Sequence, residues 1–140
     1  MPTKQTLTEA FRKFGAEPTN KNWSVSAISA SNELIVSCWN HKDYLFRSGD
    51  ALVYRDQLSR WPGSLGNDKL KEHLVDAWGR KLPVRLVQSS PDDPVTAKAL
   101  IESGADASVI KKHFHARTDL IGIFSVFDEQ DKFVFEFRKK

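Results

Sequence analysis

Near the C-terminus, "LIGIFSVF" (120–127) and "KFVFEFR" (132–138) flank the four residues "DEQD" (128–131). In the second segment Phe133, Phe135 and Phe137 alternate with Val134, Glu136 and Arg138. Successive side chains on a strand point to opposite faces, so this period-two pattern reads as a β-hairpin with one aromatic face. Such a face must be buried against another layer. The chain therefore needs a sheet and something to cover it.

The remaining segments supply both. Thr6 and Glu9 have capping-box spacing, and Leu7, Ala10, Phe11 and Phe14 form one apolar face of a short helix stopped at Gly15. "WSVSAIS" (23–29) alternates, "ELIVSCW" (33–39) is β-rich, and Ser31 and Asn32 between them read as the turn of a second hairpin. "NHKDYLFRSGD" (40–50) reads as a mixed loop, with Gly49-Asp50 as the turn before the strand "ALVYR" (51–55). Leu70, His73, Leu74 and Ala77 or Trp78 then recur at helical spacing, with Asn67 as N-cap and Gly79 as the C-terminal residue. "LPVRLVQ" (82–88) is a strand and "SSPDDP" (89–94) a turn; "VTAKALIESG" (95–104) is a helix ended by Gly104, and "DASVIKKH" (106–113) adds a further helical turn. Strand runs interrupted by single helices predict an α+β domain spanning 1–140. Its architecture is one curved, mainly antiparallel sheet, tending toward a small barrel, packed by two or three helices.

Composition asks for nothing further. The 140 residues include 9 Phe, 4 Trp and 2 Tyr, enough large side chains for a core without a staple. The single cysteine, Cys38, cannot form an internal disulfide and suits a reducing compartment. No run is apolar enough for a signal peptide or membrane span, so a cytoplasmic protein without a membrane partner is expected. A net charge of +3 from 21 basic and 18 acidic side chains does not by itself demand a polyanion. Its placement matters more, because bases gather at Arg55–Arg60, at Lys111–Arg117 and at Arg138–Lys140.

The first of these gatherings precedes a Gly-x-x-Gly loop. Gly63 and Gly66 would let backbone amides approach a ligand, and the helix starting near Asn67 would point its unpaired N–H groups at the same place. Arg55 and Arg60 would add bidentate contacts to phosphate or carboxylate, and Trp61 would stack on a base. The competing reading is ordinary turn chemistry, since neither a Walker loop nor a dinucleotide fingerprint is present. In "KKHFHAR" (111–117), a strand would set His113, His115 and Arg117 on one face and Lys112, Phe114 and Ala116 on the other. That row, beside the terminal bases, could follow a phosphate backbone with Lys112 alongside, or simply protect a sheet edge.

Catalytic and metal chemistry have less support. Cys38-x2-His41 and His113-x-His115 offer four zinc ligands if they meet, but a lone cysteine in "LIVSCW" reads as a buried small hydrophobe. Asp92 and Asp93 with Glu136 resemble a split acidic nuclease motif, with Arg138 where a lysine is expected. No cofactor or metal is expected.

"SGADASVIKKHFHARTDLIG" with "FVFEFR", "WSVSAIS" and "SCWN" resembles a family of small uncharacterised bacterial proteins, which implies a bacterial or phage setting and no site residues. "SGDALVY" is similar to the Gly-Asp-x-x-x-Tyr turn of PUA-like and EVE-like barrels, which implies modified-base binding. The expected function is a non-catalytic binding domain for DNA, RNA or another polyanion. The alternatives are a protein-interaction or homo-oligomeric module, motivated by the tryptophans and the phenylalanine-rich strand, and a metal-dependent hydrolase or nuclease.

Overall fold

A computed structural model describes residues 6–17, 26–39, 44–60, 65–93, 112–129 and 131–140, together with Val95 and Ala99. Helix α1 (Leu7–Arg12) begins with the expected capping box: Glu9 N–H donates to Thr6 Oγ1 and Thr6 N–H to Glu9 Oε1, both at 3.2 Å. Gly15 takes φ 72° at its end. Strands β1 (Ser26–Ile28) and β2 (Leu34–Trp39) form the expected antiparallel hairpin, turning through Asn32 at φ 60°.

The next segment corrects the sequence reading. Part of what reads as a mixed loop is strand β3 (Leu45–Ser48), which pairs antiparallel with β4 (Ala51–Gln57). The two-residue loop between them carries Gly49 at φ 61°, the conformation a type II′ hairpin turn asks of its first position. A 3-10 turn (Leu58–Arg60) follows, and then helix α2 (Leu65–Arg80).

Both ends of α2 differ from expectation. The helix begins at Leu65, so Asn67 is not its N-cap, and Gly66 and Asn67 lie in its first turn. N–H groups there lack intrahelical partners in any case, so poor helix formers cost little. The helix also runs through Gly79, and the left-handed residue is Lys81 at φ 56°. Leu82 N–H donates to the Ala77 carbonyl (3.0 Å), closing a Schellman turn in which Leu82 and Ala77 are both buried. That hydrophobic closure outweighs the left-handed preference of the nearby glycine.

Strand β5 (Val84–Pro91) runs parallel to β2, from Leu34↔Val84 to Trp39↔Ser89. Its other edge is shared by β6 (Lys112–Ala116) along Val87–Pro91 and by β7 (Leu120–Asp128) at Val84↔Gly122. The "DEQD" hairpin joins β7 to β8 (Lys132–Lys139), and β8 pairs in turn with β4. The sheet follows β1-β2-β5-β7-β8-β4-β3 with β6 beside β5, mainly antiparallel and open, not closed into a barrel. Of the helix expected over 95–104, only Val95 and Ala99 are described, both helical; the further turn expected over 106–113 lies outside the described residues except His113 and Lys112, which belong to β6. No helix among the described residues is long and apolar enough to cross a membrane.

Two clusters sandwich the sheet. On one face Phe133, Phe135 and Phe137 pack with Leu34, Val36, Leu86 and the α2 residues Leu70, Leu74 and Ala77. Each of these phenylalanines is almost completely buried, contributing about 2–3 kcal/mol by transfer out of water. On the other face, Leu7, Ala10, Phe11 and Phe14 of the α1 region cover Ile35, Val87 and Ala116. Among the described residues, that cluster includes none from β7, β8, β4 or β3.

Candidate functional site

The strand pairing separates the two basic segments. β6 lies beside the C-terminal half of β5, at Val87–Pro91, whereas the far end of β4 pairs Gln57 with Lys132. Between them β7 crosses β5 only at Gly122 and runs away from β6. Arg55 and His113 therefore occupy opposite ends of the sheet.

On β6 the expected alternation is present: Ala116 is buried and Phe114 packs on the α1 cluster, so His113 and His115 point to the other face. This row is not a free cationic track. His113 Nδ1 lies 2.8 Å from Asp92 Oδ1, and Arg117 donates from Nε and Nη2 to the two oxygens of Asp119 at 3.0 and 2.9 Å. The hydrogen bonds from Arg117 hold the Asp119 carboxyl below its ordinary range. His115 sits opposite Gln88 with its Nδ1 buried and without a partner. The Lys140 N–H donates to the Asp119 carbonyl (3.2 Å), which brings the terminal bases beside Arg117. Lys112 opens the strand.

At the other end, β4 alternates sharply. Tyr54 and Asp56 are buried, and the Tyr54 hydroxyl donates to Asp56 Oδ2 at 2.6 Å. Between them Arg55 is exposed, its guanidinium carbon 5.2 Å from the centroid of the Phe46 ring on β3. The 3-10 turn ending at Arg60 is braced: Ser59 N–H and Oγ donate to the two Asp131 oxygens at 2.7 and 2.9 Å. Trp61 and Gly63 lie outside the described residues, and Gly66 and Asn67 belong to the first turn of α2.

Arginine pairing distinguishes the two ends. Arg12, Arg80, Arg85, Arg117 and Arg138 each contact a carboxylate. Among the described residues Arg47 and Arg55 have no ion pair, and both belong to the β3–β4 hairpin. The sequence reading missed Phe46 because it placed no strand there. The available signal was "LFRS" mirrored across Gly49-Asp50 by a β-rich run.

Among the described residues the candidate catalytic side chains do not come together, and His41 lies outside those residues. Cys38 is fully buried, and burial, followed by the charge of Asp56, pushes its thiol well above the ordinary range, so it is not a nucleophile. Ser26 Oγ meets His73 Nδ1 at 2.7 Å, but Ser26 is only 1% exposed and out of reach of a substrate. Asp92 lies at the end of β5 with His113, whereas Glu136 sits mid-β8 with Arg138 at 3.5 Å. No group of three or more metal-ligating side chains meets among the described residues.

Compared with known proteins, the chain matches no family model, no curated protein and no solved structure.

Proposed function

We propose that this domain binds nucleic acid or another polyanion without catalysing a reaction, with Arg55 at the centre of its contact surface. The observation that carries the reading is the pairing pattern: among the arginines whose side chains are described, Arg47 and Arg55 have no carboxylate, and Arg55 stands exposed on the outward face of the β3–β4 hairpin beside Phe46. A guanidinium already paired must give up its carboxylate to take a phosphate, whereas an unpaired one exchanges only water. Stacking on Phe46 also limits the rotamer freedom Arg55 would lose on binding. The β6 row, in which His113 is hydrogen-bonded with Asp92 and Arg117 is paired with Asp119, is a lesser contributor.

Fluorescence anisotropy with labelled single- and double-stranded DNA and RNA, across a salt series, tests this. Saturable binding that weakens with salt is expected, and Arg55→Ala should weaken it and lower the salt slope by about one. Arg117→Ala should change it less. Absent or salt-independent binding would overturn the reading. A second reading, a protein-interaction module, is favoured by exposed Val75 and Trp78 on α2; Trp78 contacts Phe124 and Phe127 only edge-on, at 5.0 and 6.1 Å between centroids.

A further inference from the structure

The outer face of β7, β8, β4 and β3 carries apolar side chains that the fold leaves in water. Ile123 is 56% exposed and Val126 42%. The register extends these into rows across the sheet. Val126 stands opposite Val134, and Val134 opposite Arg55. Ile123 stands opposite Glu136, which leads through the buried Val53 to the half-buried Phe46. The carboxylate in these rows, Glu136, is engaged by Arg138 at 3.5 Å. Arg138 also meets Asp50 at 3.4 Å, so the guanidinium in these rows without a carboxylate is that of Arg55.

We infer that this face binds single-stranded nucleic acid, with unstacked bases lying on Ile123 and Val126 and the backbone phosphates held by Arg55. The inference rests on the polyanion reading and narrows it. A duplex would offer a flat sheet face only its phosphates, because its bases are stacked inside and its grooves admit a helix or a narrow ribbon. One unpaired guanidinium among these rows supports little phosphate-only affinity, and the exposed apolar atoms would stay wet. A single strand offers both kinds of surface at once: anionic phosphates and flat apolar base faces that gain by leaving water. Positive charge next to apolar area is the complement of that ligand.

The test uses the full chain with three labelled probes: an oligothymidylate, an abasic strand of equal length and charge, and a duplex. The oligothymidylate should bind roughly ten-fold tighter than the abasic strand, because base stacking adds to phosphate contact. Ile123→Thr with Val126→Thr keeps β-branched side chains on exposed positions, so the fold is retained, as thermal melting would verify. This pair should weaken oligothymidylate binding roughly five-fold and leave the abasic strand unchanged, whereas Arg55→Ala should weaken both. Equal binding of all three probes, unaltered by the threonine pair but reduced by Arg55→Ala, would overturn this inference and leave the polyanion reading standing. No binding to any probe would remove both. Self-association abolished by the threonine pair would reassign the face to contact between copies of the chain.

Discussion

Ser26 Oγ and His73 Nδ1, 2.7 Å apart, tie the short strand β1 to the middle of α2. His73 is half-buried, and burial, reinforced by Lys69, lowers its pKa below the ordinary 6.5 despite the opposing charges of Glu72 and Asp76. The folded state thus prefers neutral His73, and the unfolded chain takes up the proton first. Stability should be undiminished above about pH 6.5 and should fall as the pH drops below it, levelling off beneath the folded-state pKa. Urea titrations from pH 7.5 to 5 would check this. His73→Gln should flatten the dependence in that window. The stability supplied by the Arg117–Asp119 pair is fully present across this window and is lost only as the pH falls below about 3.8, because the Asp119 carboxyl titrates below its ordinary value. Equal slopes for wild type and His73→Gln would refute the assignment.

Gly122 stands where three strands meet, opposite Val84 on β5 and Phe137 on β8. A Cβ at this position would lie 2.5 Å from Phe137 Cδ1, 2.6 Å from Cε1 and 3.2 Å from the Val84 carbonyl oxygen. Phe137 is fully buried and has nowhere to go. Gly122→Ala should cost about 2–3 kcal/mol, seen as a lower urea midpoint with an unchanged slope. Adding Phe137→Leu should recover part of the loss; strict additivity would show that the clash is not the cause.

The end of α2 invites two stabilising changes. Gly79 is helical with open space where a Cβ would stand, so Gly79→Ala should add about 0.5–1 kcal/mol. Lys81 holds φ 56°, which a side chain resists, and Lys81→Gly should add up to about 1 kcal/mol despite the greater freedom of the unfolded chain. Thermal melting of each variant decides. A fall in stability for Lys81→Gly would mean that its side chain does more than tolerate the turn.

Cys38 should be silent toward thiol reagents in the native protein and react fully in denaturant. At reagent concentrations high enough for labelling to outpace reclosing, the native rate should follow the rate of opening and not the reagent concentration. Rapid native labelling would contradict the buried placement.

Local signals were readable from residues alone. Thr6 and Glu9 are three positions apart, and Phe133, Phe135 and Phe137 need only their own alternation, so each reports its environment without knowledge of the rest. The parallel pairing of β2 with β5 is different: nothing within "LIVSCW" or "VRLVQ" names the partner, and both apolar runs fit many orders. The candidate site suffered likewise. Alternation places His113 and Arg117 on one face, but Asp92, hydrogen-bonded with His113, belongs to another strand end, twenty-one positions away. Arg55 was visible as a basic residue; that it lies on Phe46 required β3, which was hidden by its four-residue length.

β8 is the seam of the sheet. The β3–β4 hairpin reaches the remaining strands in the path only through it, by pairings such as Leu52↔Phe137 and Gln57↔Lys132. During synthesis, residues 45–57 are made long before residues 132–139 emerge. Until then, Tyr54 and its neighbours on the inward face of β4 lack their phenylalanine partners, and the strand has an open edge. Closing so long a loop is slow, so the final zippering of β8 should set the pace of maturation. The interval before it is when this hairpin is most exposed to wrong pairing.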